Sequence, residues 1–239
     1  MRLYYMTTLE TLEQFILLEL RIRLSTFDKV NDPFELLGTS QSSREDRHHF
    51  KWLYKHWVNT LGFVSFSDNW ASPPMWAHYA KSHTGVCLGI EVPDDRPLKM
   101  SYEPRRLDFL LNMSPLEAAV DDEVIKKVIT TKFKDWEYER EWRYVAPLED
   151  MDEETGLHYV YFSPDFELRE IIVGARCERT LNEIQKQVFG TTDTVYLRKA
   201  RPAFGTFSMV KQQLAHGLSV LPMRSHPSKR EKKLLKAKA

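Results

Sequence analysis

The densest grouping of chemically active side chains in the sequence is the segment Trp136-Glu137-Tyr138-Glu139-Arg140-Glu141-Trp142-Arg143-Tyr144. Read as a β-strand, it alternates, so that one face carries Glu137, Glu139, Glu141 and Arg143 and the other carries the aromatic residues. Like charges in line are unfavourable unless a cation or a substrate neutralises them. Carboxylates held on a rigid strand suit recognition of hydroxyls or stabilisation of developing positive charge. The alternative is a solvent-facing ladder of charges balanced by Arg143 and a neighbouring strand.

A second group of polar and aromatic residues follows a predicted strand that ends at Ser67. A polar loop and a short helix then bring Trp76, Tyr79 and His83 into the same part of the chain. We take Ser67 and these three residues as candidate binding residues. The alternatives are that Trp76 and Tyr79 pack the helix onto a sheet and that His83 is a structural histidine.

A third group is the predicted turn Asn31-Asp32-Pro33-Phe34-Glu35. Its carboxylates could bind a cation, or Asn31 and Asp32 could hold the turn through backbone amides. Together with Glu139 and Glu141, Asp32 and Glu35 form the basis of one functional hypothesis, a metal-dependent nuclease. The sequence contains no phosphate-binding loop, dinucleotide-binding glycine motif, zinc-protease motif or nucleophile elbow, which argues against those enzyme classes.

Composition sets limits on what kind of protein this is. The chain has 239 residues, 42% of them hydrophobic, and its apolar runs are too short to span a membrane. The N-terminus does not read as a signal peptide. We therefore expect a cytoplasmic protein with no membrane contact, whose two cysteines, Cys87 and Cys177, are reduced and buried.

Charge is unevenly distributed, although the formal net charge is zero. Residues 224–239 are strongly basic and offer few apolar anchors, so we expect a disordered tail that could contact nucleic acid. Residues 1–223 are expected to form a single domain.

The order of predicted elements favours an α+β fold. Arg2–Met6, Gly62–Ser67, Gly85–Val92 and Glu139–Pro147 read as strands, among others, while a capping box at Thr7 predicts an early helix and Ser114-Pro115 a helix running to Phe133. The elements do not alternate as βαβ units do. We expect a central, mostly antiparallel sheet, continuous or split, flanked by helices.

Four motifs in this order resemble a bacterial and phage family, domain of unknown function 2971. They are Asn31–Glu35, Phe66-Ser67, the run Met75–Ile90 and Trp136–Arg143. The resemblance spans about residues 3–175 and names no activity. It implies kinship with accessory-genome and phage-defence proteins.

The element order is also similar to the ADP-ribosyltransferase fold of the diphtheria-toxin and poly-ADP-ribose polymerase type. That resemblance implies NAD as cofactor, Glu141 as the group that stabilises the oxocarbenium-like transition state, Tyr79 stacked on nicotinamide and Ser67 beside it. Tyr5 stands where the family has a ribose-binding histidine, and Thr7 at a small hydroxyl position. Tyr5 in place of histidine, and Met6 in place of glycine, depart from the family pattern.

The leading hypothesis is therefore a nucleotide-using transferase of ADP-ribosyltransferase type that acts on an intracellular target. Its catalytic residues are predicted to be Glu141, Tyr79 and Tyr5. The residues predicted to bind the cofactor are Thr7, Ser67, Trp76, His83, Glu139 and Arg143. We also expect the side chain of Glu141 to be half exposed. The alternative is a non-catalytic effector that binds a nucleotide or a partner in the same pocket, and the third hypothesis is the nuclease.

Overall fold

The computed structural model of the protein describes residues 1–107, 122–186, 193–213 and 219–223. It is a mixed α+β structure with a central, mostly antiparallel sheet and several helices, which confirms the predicted fold class. The basic segment 224–239, for which we predicted a disordered tail, lies outside the described residues.

The strands are, in chain order, β1 (Arg2–Thr7), β2 (Arg21–Arg23), β3 (Ser25–Thr26), β4 (Leu61–Ser67), β5 (Val86–Glu91), β6 (Leu98–Lys99), β7 (Ser101–Glu103), β8 (Thr131–Phe133), β9 (Glu141–Pro147), β10 (Tyr159–Tyr161), β11 (Glu167–Val173), β12 (Asp193–Pro202), β13 (Met209–Lys211) and β14 (Ser219–Met223). The helices are α1 (Leu9–Thr11), which continues as a π-helical stretch (Leu12–Ile16) into α2 (Leu17–Glu19), then α3 (Arg44–Thr60), α4 (Pro73–Tyr79), α5 (Asp122–Ile129), a 3-10 helix (Lys134–Glu139) and α6 (Leu181–Gln185).

The chain divides into two compact units, each assembled from separate segments. The first unit comprises residues 1–22, 70–93 and 160–239, and the second comprises residues 23–69 and 94–159. The prediction of a single domain over residues 1–223 stays a prediction.

In the first unit the strands lie in the order β13, β12, β11, β5, β1, and β14 also pairs with β12. All of these pairs are antiparallel except β11 with β12. Strand β5 is fully buried over Val86–Ile90, because it lies between two strands and consists of apolar residues. This agrees with the continuous apolar run of the sequence.

In the second unit β4 pairs with β3 and β9, and β9 also pairs with β6, all antiparallel. Strands β7 and β8 form a separate parallel pair. Helix α3 begins with a complete capping box between Ser43 and Asp46. It buries Phe50, Leu53 and Trp57, whose spacing places them on one face of the helix. These side chains form a core with other buried apolar residues of the unit, among them Phe27, Leu36, Phe63, Val128 and Ile129.

Two predicted helix boundaries are wrong. The first helix is capped by Thr8, whose hydroxyl accepts a hydrogen bond from the backbone N–H of Thr11, and not by a Thr7 capping box, because Thr7 still belongs to β1. The long helix predicted to reach Phe133 ends at Ile129, since residues 131–133 pair with β7. Its predicted start at Ser114 lies outside the described residues.

Both cysteines are free and buried, as expected. Among the described residues no helix has the length and apolar character that crossing a membrane requires.

Candidate functional site

The second unit contains a buried group of charged side chains, which we call the charge network. Its members come from four different elements of the unit, and each is 9% exposed or less: Glu35, Lys132, Glu139, Glu141 and Arg143. Three carboxylates and two cations give the network a formal charge of minus one. Burying charges is unfavourable unless they are paired and hydrogen-bonded, so the geometry of the pairs matters.

Local backbone conformation brings the carboxylates together. The 3-10 helix ends at Glu139, Arg140 adopts the left-handed conformation at φ 49°, and β9 begins at Glu141. Within β9, Glu141 and Arg143 lie on the same side of the strand because side chains alternate. Lys132 reaches the same place from β8.

Lys132 and Arg143 each join two carboxylates. The Lys132 ammonium lies 2.5 Å from Glu139 Oε2 and 3.0 Å from Glu141 Oε2. The Arg143 guanidinium binds Glu35 through two hydrogen bonds of 2.7 and 2.9 Å and also donates to Glu141 Oε1 at 2.9 Å. It further donates to the Ile129 carbonyl, and Ser65 donates its hydroxyl to Glu141 Oε1 at 2.7 Å. Both oxygens of Glu141 are therefore engaged.

The electrostatics of the network keep Glu141 ionised. Burial favours its neutral form, but the nearby charges of Arg143 and Lys132 outweigh burial and lower its pKa to about 2. Burial likewise opposes the charge of Lys132, yet Glu141 and Glu139 hold its pKa above the usual range. The site is thus a preorganised arrangement of hydrogen-bonded ion pairs around an ionised Glu141.

Ser67 lies directly opposite Glu141 in the β4–β9 pair. Its hydroxyl donates to the Glu139 carbonyl at 2.6 Å and accepts from the Asn69 N–H. Tyr102 completes the surroundings, because its hydroxyl accepts a hydrogen bond from the Glu141 N–H at 2.6 Å. Burial raises the pKa of Tyr102 to about 12, so that it remains a neutral phenol.

The predicted strand alternation across residues 136–144 is wrong in its first half. Residues 134–139 form a 3-10 helix, so Glu137 and Trp136 do not extend the two faces of β9. The expectation that Glu141 is half exposed is also wrong, because it is only 3% exposed. The cation that the aligned carboxylates require is supplied from within the fold by Lys132, together with Arg143.

The turn of residues 31–35 contributes Glu35 to the charge network. The Asp32 carboxylate accepts a hydrogen bond from the Phe34 N–H, which is the structural alternative for this turn, and Glu35 pairs with Arg143. Among the described residues no group of three or more His, Cys, Asp or Glu side chains is placed to hold a metal ion. The nuclease hypothesis needs a metal ion between Glu35, Glu139 and Glu141. In this structure the side chains of Lys132 and Arg143 make the ion pairs with these carboxylates.

The first unit holds the remaining predicted site residues. Tyr5 and Thr7 lie on β1, and Trp76 and Tyr79 lie on α4. Trp76 is fully buried, and its indole N–H donates to the Trp70 carbonyl at 2.6 Å, so in this structure it packs the helix. Its ring also stacks on that of His83.

The turn after α4 is conformationally strained. Lys81, Ser82 and His83 follow one another with φ values of 46°, 55° and 69°, a left-handed conformation that non-glycine residues rarely adopt. Hydrogen bonds from Gly85 N–H to the Ala80 carbonyl and from Arg176 N–H to the His83 carbonyl hold it. Burial and the nearby charge of Arg176 lower the pKa of His83. Strain of this kind occurs at functional sites but also where close packing imposes it, so a binding role for this segment stays a prediction.

The structure therefore groups the predicted site residues into two sets. Ser67, Glu139, Glu141 and Arg143 contact one another within the second unit. The residues of the first unit are Tyr5, Thr7, Trp76, Tyr79 and His83. That Tyr79 and Glu141 line one pocket stays a prediction.

Sequence reasoning missed Lys132, Ser65 and Tyr102. Lys132 lies between Thr131 and Phe133 in a stretch that read as the end of a helix. The sequence did indicate that such a cation exists, because the segment 136–144 contains more carboxylates than Arg143 alone can neutralise. Nothing in the local pattern identified which lysine it was.

Residues 75–144 match the model of a family described as a protein of unknown function (DUF2971). The matched range includes two of the four motifs that carry the resemblance, Met75–Ile90 and Trp136–Arg143. Comparisons with curated proteins and with solved structures gave no match. The match supports the resemblance to this family, and the family's description assigns no activity.

Proposed function

We propose that the protein is a nucleotide-using transferase of ADP-ribosyltransferase type, with NAD as its substrate nucleotide and Glu141 as the group that stabilises the transition state. The observation that carries the proposal is the cross-strand pairing of Ser67 with Glu141. These are the two residues of the second unit that the resemblance assigns to the nicotinamide-ribose end of NAD. A cytoplasmic target and a role in defence belong to the same proposal.

The chemistry assigned to Glu141 suits its surroundings. In the reaction the bond between ribose C1 and nicotinamide breaks, and positive charge develops on the ribose ring. An ionised carboxylate in a dry, preorganised site stabilises such charge more effectively than one in water. The network's formal charge of minus one also stabilises positive charge on the ribose ring. A ribose hydroxyl would have to take one of the hydrogen-bond positions on Glu141 now held by Ser65, Lys132 or Arg143.

A second candidate function is a non-catalytic nucleotide-binding effector. The observation in its favour is that both oxygens of Glu141 are already engaged, which is typical of a carboxylate with a structural role. In this case the charge network holds the second unit together and the ligand is bound but not cleaved.

The test is NAD hydrolysis by the full-length protein with water as acceptor, in which the water oxygen bonds to ribose C1 and nicotinamide and a proton are released. Nicotinamide is quantified by chromatography, and NAD binding is measured in parallel by calorimetry. We expect Glu141→Gln to lower turnover by about two to three orders of magnitude, through loss of a few kcal/mol of transition-state stabilisation.

Because Glu141 is buried and ion-paired, its replacement also costs stability, and a matched control is needed. Glu35→Gln breaks the other ion pair of Arg143 but keeps Glu141. Rates are compared at a temperature at which circular dichroism shows all three proteins folded. If Glu141→Gln and Glu35→Gln lower the turnover equally, Glu141 has a structural role. Binding without nicotinamide release favours the effector, and absence of NAD binding removes NAD from both proposals.

A further inference from the structure

A cavity of about 360 Å³ opens on the second unit beside the charge network. Its walls include Phe34, the Arg105-Arg106 pair, and Lys132 and Phe133 of β8. Ligand sites for small molecules typically occupy about 300–1,000 Å³, so the cavity is large enough for one mononucleotide. None of the predicted site residues line it.

The walls of this cavity are fixed by backbone contacts. The segment that carries Arg105 and Arg106 is held by the Leu107 N–H, which donates to the Gly38 carbonyl at 2.7 Å, and by the Ser40 N–H, which donates to the Leu107 carbonyl. Glu103 at the end of β7 and the residues of β8, which pairs with β7 in parallel, form another part of the wall. Gly38 packs so closely on Thr131 that a Cβ atom there would lie 2.8 Å from its methyl group. The cavity is therefore a preformed feature of the unit.

Two cations at the cavity are available to a ligand. Arg105 and Arg106 are exposed, and neither forms an ion pair within the described part of the chain. The ammonium of Lys132, in contrast, is committed to Glu139 and Glu141. Adjacent arginines without a carboxylate partner among the described residues suit a phosphate, since the planar fork of each can donate two hydrogen bonds.

Two aromatic side chains at the same cavity are unusually exposed. Phe34 is 57% exposed and Phe133 is 48% exposed. The Arg106 guanidinium lies 5.5 Å from the centre of the Phe34 ring, which orients it at the cavity. The carboxylate of Glu103, held by the Ser101 hydroxyl at 2.9 Å, adds an acceptor for amino or hydroxyl groups. Flat apolar rings next to cations are the features that bind a planar base attached to a phosphate.

We propose that this cavity binds a mononucleotide, with its phosphate on Arg105 and Arg106 and its base against Phe34 or Phe133. The inference shares only its ligand class with the proposed function. It requires neither NAD cleavage nor Glu141 as a catalytic group. Because Lys132 lines the cavity and contacts Glu141, a bound nucleotide would also lie next to the charge network.

The test uses AMP as the probe, with adenosine and inorganic phosphate as separate arms, titrated into the full-length protein by calorimetry. We expect AMP to bind more tightly than either fragment. The double variant Arg105→Gln/Arg106→Gln should weaken AMP binding by at least about tenfold, through loss of charge-assisted hydrogen bonds. Phe133→Leu keeps an apolar side chain but removes the ring, and should weaken binding by about three- to tenfold.

Arg44→Gln is the matched control, because Arg44 is also an exposed arginine of the second unit but lies on α3 and not at the cavity. It should bind AMP as the wild type does, and thermal melting should be the same for all variants.

Lack of AMP binding, or unchanged binding by the double variant, overturns the proposal. Equal affinity for phosphate or adenosine alone overturns the nucleotide class. Much tighter binding of a single-stranded oligonucleotide would instead identify a nucleic-acid surface. None of these outcomes depends on whether NAD is hydrolysed.

Discussion

At the scale of single residues, Arg143 links three parts of the second unit. Its side chain, 1% exposed, binds Glu35 in the loop before α3, the Ile129 carbonyl at the end of α5, and Glu141 on its own strand. Its guanidinium also lies 4.6 Å from the centre of the Phe63 ring. Such a buried, fully hydrogen-bonded cation determines which backbone segments can meet there.

We expect Arg143→Met to lower the free energy of unfolding by about 3–5 kcal/mol, because Glu35 and Glu141 are then buried without their main cation. Urea denaturation followed by circular dichroism measures it. Arg140→Met is the control, since the Arg140 side chain is 57% exposed and pairs with a half-buried Asp68. Solvent screens such a pair, so we expect it to contribute about 1 kcal/mol or less. If both variants lower the free energy of unfolding equally, the buried ion pairs of Arg143 with Glu35 and Glu141 are no more important than a surface pair.

At the scale of elements, the strained turn after α4 depends on close backbone packing. Gly174 follows β11, and its N–H donates to the Gly85 carbonyl at 2.9 Å. A Cβ atom at Gly174 would overlap the carbonyl oxygen of His83, and one at Gly85 would overlap that of Thr7. The two glycines therefore allow the turn to lie against the ends of β1 and β11.

Gly174→Ala should destabilise the protein by about 3 kcal/mol, because the overlapping atoms belong to backbone and cannot rotate aside. The measurement is the midpoint of thermal or urea unfolding. Gly205→Ala, where a Cβ atom meets nothing within 4 Å, should change stability by no more than about 0.5 kcal/mol. If Gly174→Ala is equally neutral, the packing of the turn is looser than the structure shows.

At the scale of the whole molecule, the charge network makes stability depend on pH. The pKa of Glu141 is about 2 in the folded protein, against an ordinary value of 4.5. Its ion pairs therefore stabilise the folded state above about pH 4.5, and this contribution is lost as the pH falls towards 2. By linkage, the contribution at neutral pH is on the order of 3 kcal/mol.

We expect the difference in unfolding free energy between the wild type and Glu141→Gln to be largest at pH 7 and to narrow between about pH 5 and pH 3. Urea titrations at pH 7, 4 and 3 measure this difference. The control is Glu137→Gln, because Glu137 is exposed and its ion pair with Lys134 lies at the surface. A difference that is constant with pH would show that the Glu141 charge does not stabilise the fold.

Local patterns in the sequence were sufficient to predict several elements and the mixed α+β class. The apolar run of β5 and the apolar face of α3 predicted their burial, because side-chain periodicity follows directly from backbone geometry. The concentration of carboxylates in the segment 136–144 also indicated that cations must lie close to them, and Lys132 and Arg143 do.

Tertiary structure decided how those carboxylates are used. The strand alternation fails before Glu141 because residues 134–139 form a 3-10 helix that ends at Arg140 in the left-handed conformation, which periodicity does not signal. Glu35 and Arg143 are 108 residues apart in sequence, and Lys132 reaches Glu141 from a strand that read as helix. A charge can be buried only where its partners meet it in three dimensions. The sequence by itself therefore identified the carboxylates and Arg143 as candidates, whereas only the fold added Lys132 and determined how these charges are paired and buried.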